Sequence, residues 1–181
     1  MQHTEHGNLT SMAVSATLHC LTGCAIGEIL GMVIGTAADL SNATTVVLSI
    51  ALAFVFGYGL TSLPLLRGGL ALAAVVPIAL ASDTLSIATM EAVDNALIVA
   101  IPGAIDAGLD SLLFWGSLSA ALVIAGAVAV PVNRWLIARG KGHAVVHETG
   151  IHGGPPTRVV AGVAVLAGAF GAAVLLGEAL G

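Results

Sequence analysis

Both cysteines of the chain lie in one short stretch of its first apolar segment, together with a histidine and a carboxylate. The stretch covers residues 19–28 and reads HCLTGCAIGE. On an α-helix Cys20, Cys24 and Glu28 are one turn apart and share a face, and His19 flanks that face. Thiolate and imidazole are donors that bind Cu⁺ and Zn²⁺ well. The stretch therefore predicts a soft-metal site with His19, Cys20 and Cys24 as ligands and Glu28 beside them.

A second polar group lies in the third apolar segment. Its members, which share an arc of about 100° on a helical wheel, are Asp83, Met90, Glu91 and Asp94. A carboxylate at membrane depth costs about 2.5–3.5 kcal/mol on insertion scales, so three of them in one helix indicate a function. We expect Asp83, Glu91 and Asp94 to balance charge or relay protons, and Met90 to offer a thioether to the metal.

The composition identifies the class of protein. Hydrophobic residues make up 57% of the 181 residues and charged residues 8%, against about a quarter in soluble domains. Long apolar runs with short polar breaks predict an all-α integral membrane protein with the lipid bilayer as its surroundings. Five Lys and Arg in total and no basic patch exclude a nucleic-acid-binding protein. Two cysteines four residues apart on a helix indicate free thiols or metal ligands, not a disulfide.

The apolar pattern divides the chain into four parts. A polar arm at 1–11 precedes a membrane core at 12–138, whose four helices are predicted at about 12–38, 45–63, 70–101 and 112–137. A histidine-containing loop follows at 139–158, and the segment 159–181 carries a fifth transmembrane helix from about Val159 to Leu176. The predicted fold is a bundle of about five transmembrane helices.

The positive residues predict the orientation. Five spans place all five Lys and Arg on the side of the N-terminus, which the positive-inside rule assigns to the cytoplasm. The expected location is the cytoplasmic membrane of a prokaryote. His143 and His147 then lie in a cytoplasmic loop, four residues apart, and would relay metal if that stretch is helical.

Glycines recur at every fourth position of the first helix. Gly23, Gly27, Gly31 and Gly35 allow a neighbouring helix to approach the backbone closely. If this face meets the acidic face of the third helix, one buried site would hold both polar groups, since counting along both helices puts Cys24 and Asp83 at similar depth. A homo-oligomer is also compatible with such a surface.

The leading hypothesis is a membrane protein that binds or moves a soft metal, copper before zinc, between the first and third helices. One alternative is a proton- or cation-coupled transporter of a small solute that uses the third-helix acids. Another is a thiol or haem oxidoreductase, against which stand the lack of a Cys-x-x-Cys pair and of a second intramembrane histidine. A third is a non-catalytic assembly subunit. The balance favours a binding or transport protein over an enzyme.

Three stretches carry a resemblance to a known family. Residues 19–28, 82–95 (SDTLSIATMEAVDN) and 131–147 (PVNRWLIARGKGHAVVH) resemble a family of small prokaryotic membrane proteins known as domain of unknown function 4396. The resemblance extends over about residues 13–147. It implies no established activity, although copper-related labels on some relatives agree with the donor set.

Overall fold

The structure is a computed structural model that describes residues 2–151, with side chains described for 9–146 and 148–151. All regular secondary structure in these residues is helical, and they contain no strand. The helices are α1 (Gln2–Ala37), α2 (Asn42–Arg67), α3 (Leu72–Ala100), α4 (Leu112–Ile137) and the short α5 (His143–Glu148). A 3₁₀ turn at Ala104–Asp106 lies between α3 and α4.

Four of these helices are long and apolar enough to cross a membrane. They are Leu9–Ala37 within α1, and the whole of α2, α3 and α4. Lengths of 26 to 29 residues exceed the roughly 20 that the hydrocarbon core requires. The described residues are therefore those of an all-α integral membrane protein. The predicted fifth span, Val159–Leu176, lies outside them.

The predicted helix limits differ from the observed ones in three places. Helix α1 begins at Gln2, so the backbone of the predicted polar arm is already helical. Helix α2 continues through Pro64 to Arg67 instead of ending at Leu63. The predicted loop at 139–158 contains α5. Pro64 removes one backbone hydrogen bond without ending α2, and the Gly68 N–H donates to the carbonyls of Pro64 and Leu66 at the end of the helix.

The four long helices run up and down. Residues 38–41 and 101–111 lie at one end of the bundle, which we call the far end. The other end, which we call the α5 end, carries residues 68–71 and α5. Helices α2 and α4 each pack against both α1 and α3, which run parallel to each other. The seam between α1 and α3 is thus enclosed by the two outer helices.

The glycines of α1 pack against α2. A Cβ on Gly23 would lie 2.6 Å from the Gly57 Cα, and a Cβ on Gly27 would overlap the backbone of Ala53. Gly31 and Gly35 meet Ser49 and Thr45 in the same way, at every fourth residue of α2. The glycine face therefore meets α2 and not α3. The small residues of α2 accept the glycine face, which turns the neighbouring cysteine face towards α3.

Helix α5 folds back across the α5 end of the bundle. Gly140 and Gly142 adopt left-handed backbone conformations with φ of 65° and 61°, which reverse the chain after α4. Val146 then packs with Leu65 and Val75 of the neighbouring helices. This docking brings the first residue of α5, His143, to the mouth of the α1–α3 seam.

Candidate metal centre and acidic cavity

Helices α1 and α3 present their polar side chains to the seam between them. On α1 these side chains are one turn apart and belong to Cys20, Cys24 and Glu28. On α3, which runs parallel to α1, they belong to Asp83, Glu91 and Asp94. All six are buried, none more than 5% exposed. The structure brings these predicted residues together in two groups at different depths.

The first group, which we call the thiol centre, consists of Cys20, Asp83 and His143. The Cys20 thiol donates to Asp83 Oδ1 over 3.8 Å, and His143 Nδ1 lies 3.2 Å from the same oxygen. One donor atom from each of the three residues lies within 4.8 Å of the others. Three different helices therefore contribute one sulfur, one oxygen and one nitrogen to a single point.

His19 lies at the edge of the thiol centre. Its ring meets that of His143 edge to face, with 5.3 Å between the centroids. Its Nε2 is 2.8 Å from Thr61 Oγ1 of α2, while its Nδ1 is buried and has no hydrogen-bond partner. His143 is therefore a second histidine beside His19. The absence of a second histidine, which counted against a haem protein in the sequence analysis, no longer holds as an objection to ligation by two histidines.

A hydroxyl network supports the thiol centre on the side of α4. The Asn133 amide donates to Thr17 Oγ1 over 2.8 Å and to Ser86 Oγ over 3.0 Å. The Ser86 hydroxyl in turn lies beside the Cys20 thiol. Because Ser86 accepts from Asn133, its own O–H is left to donate towards the sulfur. This chain fixes the positions of α1, α3 and α4 around Cys20.

The second group, which we call the acidic group, lies closer to the far end. It consists of Cys24, Glu28, Glu91 and Asp94, with Glu91 beside the Cys24 thiol and Glu28 beside Asp94. Both oxygens of Glu28 and one of Asp94 are buried without a hydrogen-bond partner. Carboxyl groups this close in a medium of low dielectric cannot all be ionised without a bound cation. In the absence of a cation, some of them must be protonated.

The register of the two helices differs from the prediction by one turn. Asp83 meets Cys20 and not Cys24. Met90 is 1% exposed and packs in the apolar cluster that contains both cysteines. The His147 backbone belongs to α5.

The sequence interpretation named His143 as a metal relay in a cytoplasmic loop and did not place it with Cys20 and Asp83. Its side chain is only 12% exposed and reaches Asp83. Asn133, Thr61 and Ser86 were also missed. The sequence did contain a signal for this network, because Asn133 is a side chain with several hydrogen-bonding groups inside an apolar helix. Nothing in the local pattern indicated that α5 would dock against the bundle.

Comparison with known proteins gives a family and no activity. No curated protein and no solved structure matches the chain. One family model, described as Domain of unknown function (DUF4396), matches residues 10–142. The match includes the four long helices except for the first turns of α1, and it ends at the residue before His143. The chain, an integral membrane protein with its polar residues in the α1–α3 seam, therefore belongs to the DUF4396 family.

Proposed function

We propose that the protein binds a transition-metal ion, Zn²⁺ in preference to Cu⁺, at the thiol centre and moves it across the membrane. The observation that carries this proposal is the convergence of Cys20, Asp83 and His143, whose donor atoms lie within 4.8 Å of one another. Three helices that are far apart in sequence supply one donor each. Such convergence is the arrangement that a bound ion requires.

The distances between the donors support a tetrahedral ion. Zn²⁺ binds sulfur, nitrogen and oxygen at 2.0–2.3 Å, so neighbouring ligands in a tetrahedron lie about 3.3–3.8 Å apart. The separations of 3.2 Å between His143 and Asp83 and 3.8 Å between Cys20 and Asp83 fall close to this range. A small movement of the side chains would let one ion contact all three.

The donor set favours zinc over copper. Cu⁺ prefers thiolates and thioethers, and the sequence offered it two cysteines and Met90. Cys20 is the one cysteine in the group of convergent Cys, His and carboxylate donors of the described residues, and the other two donors are a carboxylate and an imidazole. Zn²⁺ accepts all three types. His19, with its free Nδ1 beside the centre, or a water molecule would supply the fourth ligand.

A site of this kind inside a membrane bundle suits transport better than storage. Polar residues continue beyond the thiol centre to Cys24 and Glu91, which lie further towards the far end. Helix α5 supplies a ligand and also covers the α5 end, so its undocking would free the ion on that side. Intramembrane ionisable residues of this kind commonly mark ion pathways.

The competing account is a purely structural latch. In that account the Asp83–His143 pair holds α5 to the bundle, and no ion enters. The two accounts differ in the role of the sulfur, because a latch does not need Cys20. They also differ in whether Zn²⁺ stabilises the folded protein.

The test is zinc binding by the purified full-length protein in nanodiscs. Competition with a fluorescent zinc chelator gives the affinity, and elemental mass spectrometry gives the stoichiometry. We expect one Zn²⁺ per chain, and at least ten-fold weaker binding for Cys20→Ser, Asp83→Asn and His143→Gln. Cys24→Ser is the matched control, since Cys24 is equally buried but lies outside the donor group, and it should bind as the wild type does.

Two results would overturn the binding proposal. One is a wild-type protein that binds no zinc. The other is equal loss in the Cys20 and Cys24 variants, which would indicate a general packing effect. Transport is measured separately, as zinc entry into proteoliposomes that contain a zinc indicator, and entry that is unchanged in Cys20→Ser would refute the proposed route.

A further inference from the structure

A cavity opens beside the acidic group, towards the far end of the bundle. It has a volume of about 60 Å³, room for a hydrated or partly dehydrated ion. Glu28 of α1 and Asp94 of α3 line it from one side, and Thr45 and Ser49 of α2 from another. Asn95 also borders it. Oxygen-bearing side chains from three helices thus surround one space.

The carboxyl groups at this cavity lack the partners that buried acids normally have. Glu28 is 5% exposed and Asp94 3% exposed. Both Glu28 oxygens and Asp94 Oδ1 have no hydrogen-bond partner. Glu28 and Asp94 lie beside each other, so a proton or a cation shared between them would compensate for the cost of burying their oxygens.

No cationic side chain of the described residues is available to do so. Arg67, Arg134, Arg139 and Lys141 all lie at or beyond the helix ends on the α5 side. The one ion pair recorded for the described residues is His143–Asp83, in the thiol centre. Neutralisation of these acids therefore takes a bound proton or a bound cation, and not a cationic side chain of the described residues.

We propose that this cavity is a second cation site, which binds a hard divalent cation of the Mn²⁺ or Ca²⁺ class through Glu28 and Asp94. Carboxylate, hydroxyl and amide oxygens are the ligands that these ions select. Two carboxyl groups, two hydroxyls and two amides line the cavity among apolar side chains, and its one sulfur is the thioether of Met32. Two ionised carboxylates and one divalent ion leave the site neutral, which membrane depth favours.

The site differs from the thiol centre in position and in chemistry. Glu28 follows Cys20 by eight residues on α1, which corresponds to about 12 Å along the helix. The thiol centre has a sulfur and a nitrogen donor, and the cavity is lined by no cysteine or histidine. The two sites therefore bind different ions independently, and loss of one should leave the other intact.

The surroundings of the cavity favour entry from the far end. Asn42, Ala104 and Ile105 line its outer part. The Asn42 amide donates to Asp106 over 2.7 Å, which places an exposed carboxylate at the rim. Asp39 and Asp110 are exposed at the same end, and together these acids attract cations to the opening.

The experiment uses Mn²⁺ as the probe, because its electron paramagnetic resonance signal distinguishes free from bound ion. The full-length protein in nanodiscs of neutral lipid is titrated with Mn²⁺, and Ca²⁺ is then added as competitor. We expect one bound Mn²⁺ per chain that Ca²⁺ displaces. Asp94→Asn and Glu28→Gln, which keep the side-chain shape, should each weaken binding at least ten-fold.

Two controls make the result specific. Asp110→Asn removes an exposed acid at the same end and should leave the affinity within about two-fold of the wild type, since one screened surface charge contributes little. Cys20→Ser should also bind Mn²⁺ normally, which separates this proposal from the zinc proposal. The thermal midpoint of each variant is measured with and without Ca²⁺, and only the wild type and the controls should gain stability.

The proposal is overturned if the wild type binds no Mn²⁺ or Ca²⁺, because protons alone would then neutralise the acids. It is also overturned if Asp94→Asn and Asp110→Asn weaken binding equally, since that would indicate adsorption to surface charge.

Discussion

The contact between α1 and α2 yields a sharp prediction for Gly27→Ala. A Cβ on Gly27 would overlap the Ala53 backbone and lie 2.6 Å from the carbonyl carbon of Leu52. Since non-bonded carbons need about 3.5 Å, the two helices must separate by about 1 Å along the seam. All the adjacent contacts, from Gly23–Gly57 to Gly35–Thr45, then loosen together.

The expected magnitude follows from two opposing effects. Replacing a helical glycine by alanine stabilises by about 0.5–1 kcal/mol, because the unfolded chain loses freedom. Overpacking of a close contact costs about 1–3 kcal/mol. Gly59 of α2 is the matched control, because a Cβ there meets nothing within 4 Å and receives only the favourable effect. Because the favourable effect is common to both variants, we expect Gly27→Ala to be about 1–3 kcal/mol less stable than Gly59→Ala. This corresponds to a thermal midpoint about 2–12 °C lower.

The assay is thermal unfolding of both variants in the same detergent, followed by circular dichroism and by thiol exposure. Cys20 and Cys24 are both buried free thiols, so their reaction with a maleimide dye reports the opening of the bundle. Equal midpoints for the two variants would refute the close contact between α1 and α2, and with it the packing that turns the cysteines towards α3.

Two further predictions concern the hydroxyl network and the orientation. Asn133→Ala should lower the free energy of unfolding by about 1–3 kcal/mol, because it leaves the buried hydroxyls of Thr17 and Ser86 without their donor. A change below about 0.5 kcal/mol, which is typical of surface substitutions, would show that the network is dispensable. The positive-inside rule puts the α5 end in the cytoplasm and the far end outside. A membrane-impermeant maleimide added to intact cells should therefore label Ser41→Cys at the far end and not Ala138→Cys at the α5 end. The reverse pattern would invert the assigned orientation.

The class of fold follows from the sequence because membrane helices obey simple rules. The limits of α4, at Leu112 and Ile137, agree with the prediction, since its polar flanks are distinct and Ser111 caps its start. The start of α1 was less certain from the pattern, because a polar segment can continue a helix beyond the membrane. The end of α2 was misjudged because Pro64 was interpreted as a helix stop, whereas the helix accepts the loss of one backbone hydrogen bond there and continues to Arg67.

The composition of the candidate site was less predictable than the helices. That Cys20 and Asp83 belong to buried polar faces can be read from the period of the sequence. Which residue meets which depends on helix register, where a shift of one turn exchanges Cys24 for Cys20. The position of His143 depends on the docking of α5 through Val146, a tertiary contact with no local signal. The glycine spacing around Gly27 likewise predicted a close contact between helices, but the identity of the partner helix is a tertiary property that the spacing does not contain.

The most direct test of the zinc proposal is X-ray absorption at the zinc edge on the zinc-loaded protein. The expected spectrum has a single sulfur at about 2.3 Å and nitrogen or oxygen ligands at about 2.0–2.2 Å. The sulfur contribution should vanish in Cys20→Ser and persist in Cys24→Ser. A shell of two sulfurs, or one that contains only light atoms in the wild type, would contradict a centre formed by Cys20, Asp83 and His143.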